Sequence, residues 1–136
     1  MADAYAHDLL HPQSWRAARG YANGVMARGA LIFLGGQIGW NAQQVFETDD
    51  FIGQVDQCLA NICALLKEAE AGPQHLVRLT WYLTDKRDYL QNLPRIGQVY
   101  RAHMGRNFPA MAMVEVSALI EARAKVEIEA TAVLPD

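Results

Sequence analysis

Phe51, Val55, Cys58, Leu59, Ile62, Leu65, Leu66 and Ala69 recur at three- and four-residue intervals, and this stripe constrains the chain more than any other feature. A helix with one apolar face has to bury it, so the rest of the chain must supply a second layer. Thr48, Asp49 and Asp50 offer capping oxygens and negative charge at the helix start, and Gly72-Pro73 is its expected stop. A second helix is predicted from Asn92, with Pro94 tolerated in its first turn. Ile96, Val99, Tyr100 and His103 form its inner face, and Gly105 its end.

The remaining elements read as strands. Tyr21 to Ala27 and Ala30 to Leu34 are predicted as a hairpin closed at Arg28-Gly29. The polar stretch 39–48 is expected to include a short strand around Val45. Leu76 to Leu83, Ala110 to Val116 and Lys125 to Val133 complete the set, and residues 1–19 are expected to be irregular. The order predicts an α+β fold: a mixed six-stranded sheet with two helices packed on one face. In the last strand Val126, Ile128, Ala130 and Ala132 share the side suited to the helices, while Lys125, Glu127, Glu129 and Thr131 share the other. That second face must meet water or another subunit. Met111 and Met113 add apolar surface to it if they lie on that side.

The 136 residues, 51% of them hydrophobic, suit one domain with a real core. The longest apolar runs, Ala30 to Leu34 and Ala110 to Val114, fall far short of the roughly 20 residues of a membrane span. Met1 to Leu10 lacks the basic-then-apolar pattern of a signal peptide. Cys58 and Cys63 sit five apart on one helix and point away from each other, which fits packing thiols in a reducing cytosol. With a net charge of −3 and a single small cluster at Arg16, Arg19 and Arg28, the chain lacks the basic stripe that nucleic acid requires. The four histidines show no metal-ligand spacing, so neither a metal nor another cofactor is expected. Ser14 and Ser117 lie in no nucleophile motif. Gly35-Gly36 is followed by no helix of the kind a nucleotide fingerprint demands.

Five strings share an order and spacing with a known family. They are Gly20-Tyr21-Ala22-Asn23-Gly24, Leu31 to Ile38 with its Gly35-Gly36-Gln37, Val77 to Asp85, Phe108 to Val116, and Val126 to Ala132. Together they span residues 20–133, and the chain resembles the RidA/YjgF/YER057c/UK114 family. The resemblance implies a chorismate-mutase-like fold and a homotrimer, with sheets facing inward and ligand clefts between subunits. In members with imine deaminase activity, reactive 2-imino or 2-aminoacrylate species are hydrolysed to 2-keto acids and ammonia. There an arginine holds the substrate carboxylate and a glutamate positions water.

Carried over by position, the glutamate is Glu127 and the cleft tyrosine is Tyr21. The Ser-Gly-Gln segment is Gly35-Gly36-Gln37, so the serine hydroxyl is missing. The arginine of Pro-Ala-Arg falls on Met111, the nearby cysteine on Met113, and the cleft asparagine on Gly97. A thioether cannot reproduce the paired charge-assisted bonds of a guanidinium. Arg16, Arg19 and Arg123 are the candidates to replace it. The resemblance thus implies Glu127 as the catalytic residue. Tyr21, Gly35, Gly36, Met111, Met113 and Glu127 would line a ligand cleft, against the plainer reading of Tyr21, Met111 and Met113 as packing and Glu127 as surface. The loss of polarity favours an apolar or aromatic-derived small molecule, with Trp15, Trp40 and Trp81 available as walls. Two functions compete: a divergent enamine/imine deaminase-like hydrolase, and a non-catalytic small-molecule binder. The ribonuclease activity attached to the family by name fits poorly with an acidic chain.

Overall fold

The computed structural model describes residues 4–136. Helix α1 (Phe51–Glu68) carries the apolar stripe, with Val55, Cys58, Leu59, Ile62 and Leu66 completely buried. Its first turn is closed by Asp50, whose Oδ2 accepts the Gly53 N–H at 3.0 Å, while Thr48 Oγ1 accepts the Asp50 N–H. The expected stop at Gly72-Pro73 is corrected. The helix ends at Glu68 because Glu70 takes a left-handed conformation (φ 56°), which lets the Ala71 N–H return to the Leu66 carbonyl. Pro73 instead opens a short 3-10 turn, Pro73–His75.

Six strands are found among the described residues, but they do not form one sheet. Strands β3 (Ala30–Ile38), β6 (Val126–Leu134), β4 (Leu76–Leu83) and β5 (Ala110–Glu115) lie side by side in that order; β4 and β5 run parallel and the other pairs antiparallel. The other two, β1 (Asp8–Leu10) and β2 (Gly24–Met26), make a separate antiparallel ribbon. A parallel bridge between Ala22 and Ala110 ties the ribbon's base to the β5 edge, with Ala22 N–H donating to Pro109 O at 2.9 Å.

Two sequence expectations fail here. Residues 1–19 are not wholly irregular, because β1 pairs with β2. The hairpin at Arg28-Gly29 does not form, because β2 turns to β1 and β3 turns to β6. Gly29 (φ 141°) serves a close approach: a Cβ there would fall 2.7 Å from the Leu134 carbonyl carbon. No strand forms near Val45 either. Asn41 Oδ1 accepts the N–H groups of Gln43 and Val45 and holds that stretch as a turn.

The five-residue helix α2 (Lys86–Leu90) precedes α3 (Leu93–Met104), which begins after Asn92 as expected. Helices α1 and α3 both cover one face of the sheet. The core between them holds Leu79, Trp81 and Leu83 of β4 and Val126, Ile128, Ala130 and Ala132 of β6. Gln54 is the one buried polar residue among those described. Its Nε2 donates to the Thr48 and Arg123 carbonyls and its Oε1 accepts the Lys125 N–H, which stitches the start of α1 to the start of β6. The opposite face is uncovered and carries Leu31 and Phe33 at 63% and 73% exposure. No helix of the described residues is long and apolar enough to cross a membrane.

Candidate functional site

Between Leu34 and Gln37 strand β3 advances three residues while β6, from Ala130 to Ile128, advances two, so Gly35-Gly36 forms a β-bulge. The bulge lies beside Glu127. A Cβ built on Gly36 would fall 2.7 Å from Glu127 Cδ, so the carboxylate occupies the space that any larger residue at 36 would need. Glu127 is half-buried on the uncovered face, and its carboxylate has no hydrogen-bond partner among the described residues. Gly35, by contrast, faces open space. It borders a shallow depression of about 340 Å³ shared with Phe33, Arg78, Glu129 and Thr131.

Negative charge gathers on this face. Tyr82 sits opposite Glu127 in the β4/β6 register, and its hydroxyl donates to Glu129 Oε1 at 2.7 Å. That hydrogen bond, helped by burial and by the charges of both glutamates, holds the Tyr82 phenol above its ordinary range. Across the sheet, burial pushes the Cys58 thiol well up, with the Glu127 charge adding to it; Cys58 is a packing thiol.

Met111 and Met113 lie elsewhere. The parallel register sets Met111 beside Leu79 and Met113 beside Trp81, so both methionines share the helix-covered face, opposite to Glu127. They floor a cavity of about 240 Å³ beneath α3, with Trp81, Ile96, Tyr100 and Phe108 around them and Gly97 and Arg101 at α3. Tyr100 stacks on Phe108 at 5.3 Å, and its hydroxyl donates to the Asn107 carbonyl; burial pushes its phenol up.

Tyr21, 44% exposed, lines a third hollow of about 420 Å³ with Tyr5, Leu9, Leu10, His11 and Phe108. The Tyr5 hydroxyl donates to Leu76 O at 2.6 Å, and burial pushes its phenol up to about 12. Gly20 and Phe108 border both this hollow and the methionine cavity, which therefore adjoin. Within one chain, the six predicted site residues thus fall into two groups. Glu127, Gly36 and Gly35 are on the open face, and Tyr21, Met111 and Met113 are around Phe108.

Of the candidate replacement arginines, Arg123 is committed elsewhere. Its Nε donates to Asp49 Oδ1 at 2.9 Å and its guanidinium lies 5.4 Å over the Phe46 ring. Ala17 and Ala18 border the Tyr21 hollow, whereas Arg16 and Arg19 are exposed and do not. Arg101 and Arg106, which reach the two adjoining cavities, were not singled out from sequence. The available signal was the Gly97–Arg101 spacing, one helical turn. Among the described residues no group of His, Cys, Asp and Glu could hold a metal ion.

A family model described as Endoribonuclease L-PSP matches residues 12–134. Protein DfrA of Myxococcus xanthus is 34% identical over 131 residues, covering 94% of this chain and 96% of that protein. The 2-iminobutanoate/2-iminopropanoate deaminase of Capra hircus is 32% identical over 103 residues, 75% of this chain and 72% of its own. In structure the chain is similar to YyfB, a conserved Rid-family protein of unknown function from Yersinia pestis. The TM-score is 0.84 at 28% identity, covering 94% of this chain and 98% of that one.

Proposed function

Because the chain belongs to the RidA/YjgF family, matched by the endoribonuclease L-PSP model over most of its length, we propose that it is a divergent enamine/imine deaminase-like hydrolase. It works in the cytosol as a homotrimer whose clefts lie between subunits. The observation that carries this is the Glu127 carboxylate, unpartnered on the open sheet face and given its space by Gly36. Exposed Leu31 and Phe33 on the same face support its burial against further copies of the chain. Such packing would bring Glu127 of one subunit toward the Tyr21 and Met111 region of the next, although the two lie on opposite faces within one chain.

In the reaction, water adds to the carbon of a C=N bond, and Glu127 takes its proton as the C–O bond forms. That proton passes to nitrogen to give a carbinolamine. The carbinolamine's hydroxyl proton then moves to the amine as the C=O bond forms, the C–N bond breaks and ammonia leaves. An enamine enters the same path after protonation at carbon turns it into the imine. The goat relative's name supports this chemistry. Met111, where the family arginine would stand, argues against the small 2-imino acids of standard 2-aminoacrylate metabolism as substrates. The substrate class is an enamine or imine with a larger, apolar or aromatic-derived body. A ribonuclease role has little support in a chain of net charge −3.

The test is hydrolysis of freshly generated 2-imino acids and of aminomuconate-type enamines by wild type, Glu127→Gln and Met111→Arg. Turnover of an enamine by wild type, lost in Glu127→Gln, is the expected result; unchanged turnover in that variant defeats the catalytic assignment. The second reading, a binder without chemistry, is favoured by the apolar methionine cavity, and saturable binding with no turnover of any substrate would establish it.

A further inference from the structure

Two polar groups stand out among the described residues that line the cavity beneath α3. The first is the indole N–H of Trp81. The residue is 2% exposed, and its Nε1 is the one buried side-chain nitrogen or oxygen among the described residues with no hydrogen-bond partner. Native interiors seldom leave such a donor unmet. The second is Arg101, the one formally charged residue among the described residues that line the cavity. Arg87, Arg95 and Arg123 each lie within ion-pair distance of an aspartate, whereas Arg101 has no partner among the described residues.

Gly97 explains where the Arg101 side chain goes. Glycine is a poor choice inside a helix, yet it stands one turn before Arg101 in α3. A Cβ on Gly97 would fall 3.1 Å from Arg101 Nη1, so the guanidinium folds back along the helix into room left by the missing side chain, at the cavity that both residues line. A cation at the rim, an otherwise apolar lining and no acidic residue among the described residues that line the cavity define an anion site with an apolar interior.

We propose that Arg101, reaching across Gly97, binds the carboxylate of the ligand from one helical turn away, in place of an arginine at position 111. The cavity then takes a small molecule with one carboxylate and an apolar body. Its volume of about 240 Å³ lies below the roughly 300–1,000 Å³ of drug-sized pockets and suits a single-ring acid. The carboxylate pairs with the guanidinium, and the ring lies against Met111, Met113 and the Trp81 side chain. The inference deepens the small-molecule reading above and rests on it for the existence of a ligand, but not for any chemistry.

Calorimetric titration of the full chain with phenylacetate and with phenylacetamide tests it, since the two differ in charge and hardly in shape. Wild type is expected to bind the acid at least about tenfold more tightly than the amide. The indole N–H resonance assigned to Trp81 should shift with the acid. Arg101→Gln should equalise the two affinities by weakening the acid alone. Gly97→Ala, which keeps the charge and favours the helix, should weaken the acid severalfold by crowding the guanidinium. Equal affinities in wild type, a preference surviving Arg101→Gln, or no binding of either probe at millimolar concentration would each overturn the proposal. Neither probe contains a C=N bond, so this outcome is independent of whether Glu127→Gln abolishes hydrolysis.

Discussion

Gly36 and Glu127 share one volume: the glutamate carboxylate lies where a side chain at position 36 would begin. Gly36→Ala is therefore expected to swing the carboxylate away while the fold persists, because the obstruction is a flexible side chain on an uncovered face. In the hydrolysis assay the variant should lose activity toward the level of Glu127→Gln, with unfolding free energy changed by less than about 1 kcal/mol.

Phe33 offers a separate handle on assembly. At 73% exposure its ring contributes little to the stability of an isolated chain, so Phe33→Glu should leave the circular dichroism spectrum unchanged. If the open face is buried between copies, the same substitution places a charge in an apolar contact and reduces the mass measured by light scattering toward 15.1 kDa. A wild-type mass of one chain would remove the shared-cleft model.

Gln54→Leu tests the polar stitch between α1 and β6. Leucine fits the apolar surroundings but leaves the Thr48 and Arg123 carbonyls and the Lys125 N–H without their partner. Each group left unmet in the interior costs about 1–3 kcal/mol. Thr48 and Lys125 are only half-buried and Arg123 is exposed, so water offsets part of this. The expected total is about 2–3 kcal/mol, read as a lower urea midpoint with an unchanged slope at fixed protein concentration.

Asp85 sets an acid limit on local structure at α2. Its carboxylate accepts the Arg87 N–H and pairs with the Arg87 guanidinium at 2.8 Å, and these bonds hold its pKa at about 2, below the ordinary 3.8. A depressed carboxylate stabilises the folded state fully above its unfolded value. That contribution fades as pH falls from near 3.8 through about 2. The pair is exposed, so salt should raise the Asp85 midpoint in a carbon-detected NMR titration, and Arg87→Gln should return it to the ordinary range.

The elements with strong periodicity were legible from sequence. The stripe of α1, the strand Leu76–Leu83, the start of α3 after Asn92 and the alternation of β6 all stand where the residues place them. Shorter signals misled. Three-residue β1 has no measurable period, so its claim on β2 was invisible, and Arg28-Gly29 imitated a hairpin turn. Helix α2 is a single turn. Glu70, a residue type that seldom adopts positive φ, ended α1 before the glycine expected to do so. The face of Met111 and Met113 depends on the β4/β5 register, which no single strand encodes. Arg101 was overlooked because its meaning comes from Gly97 and from a cavity built by three other elements.

The extra residue at Gly35-Gly36 also acts as a phase shift along β3. Before it, Ile32 and Leu34 turn to the core, opposite Ala132 and Ala130; after it, the even positions change sides, and Ile38 stands opposite Glu127. Deleting either glycine would restore a regular alternation with Ile38 still opposite Glu127, while the seat of the carboxylate closed. The length of this strand, as much as its composition, encodes the site. Natural variants that differ by one residue here would differ in chemistry even with every other side chain retained.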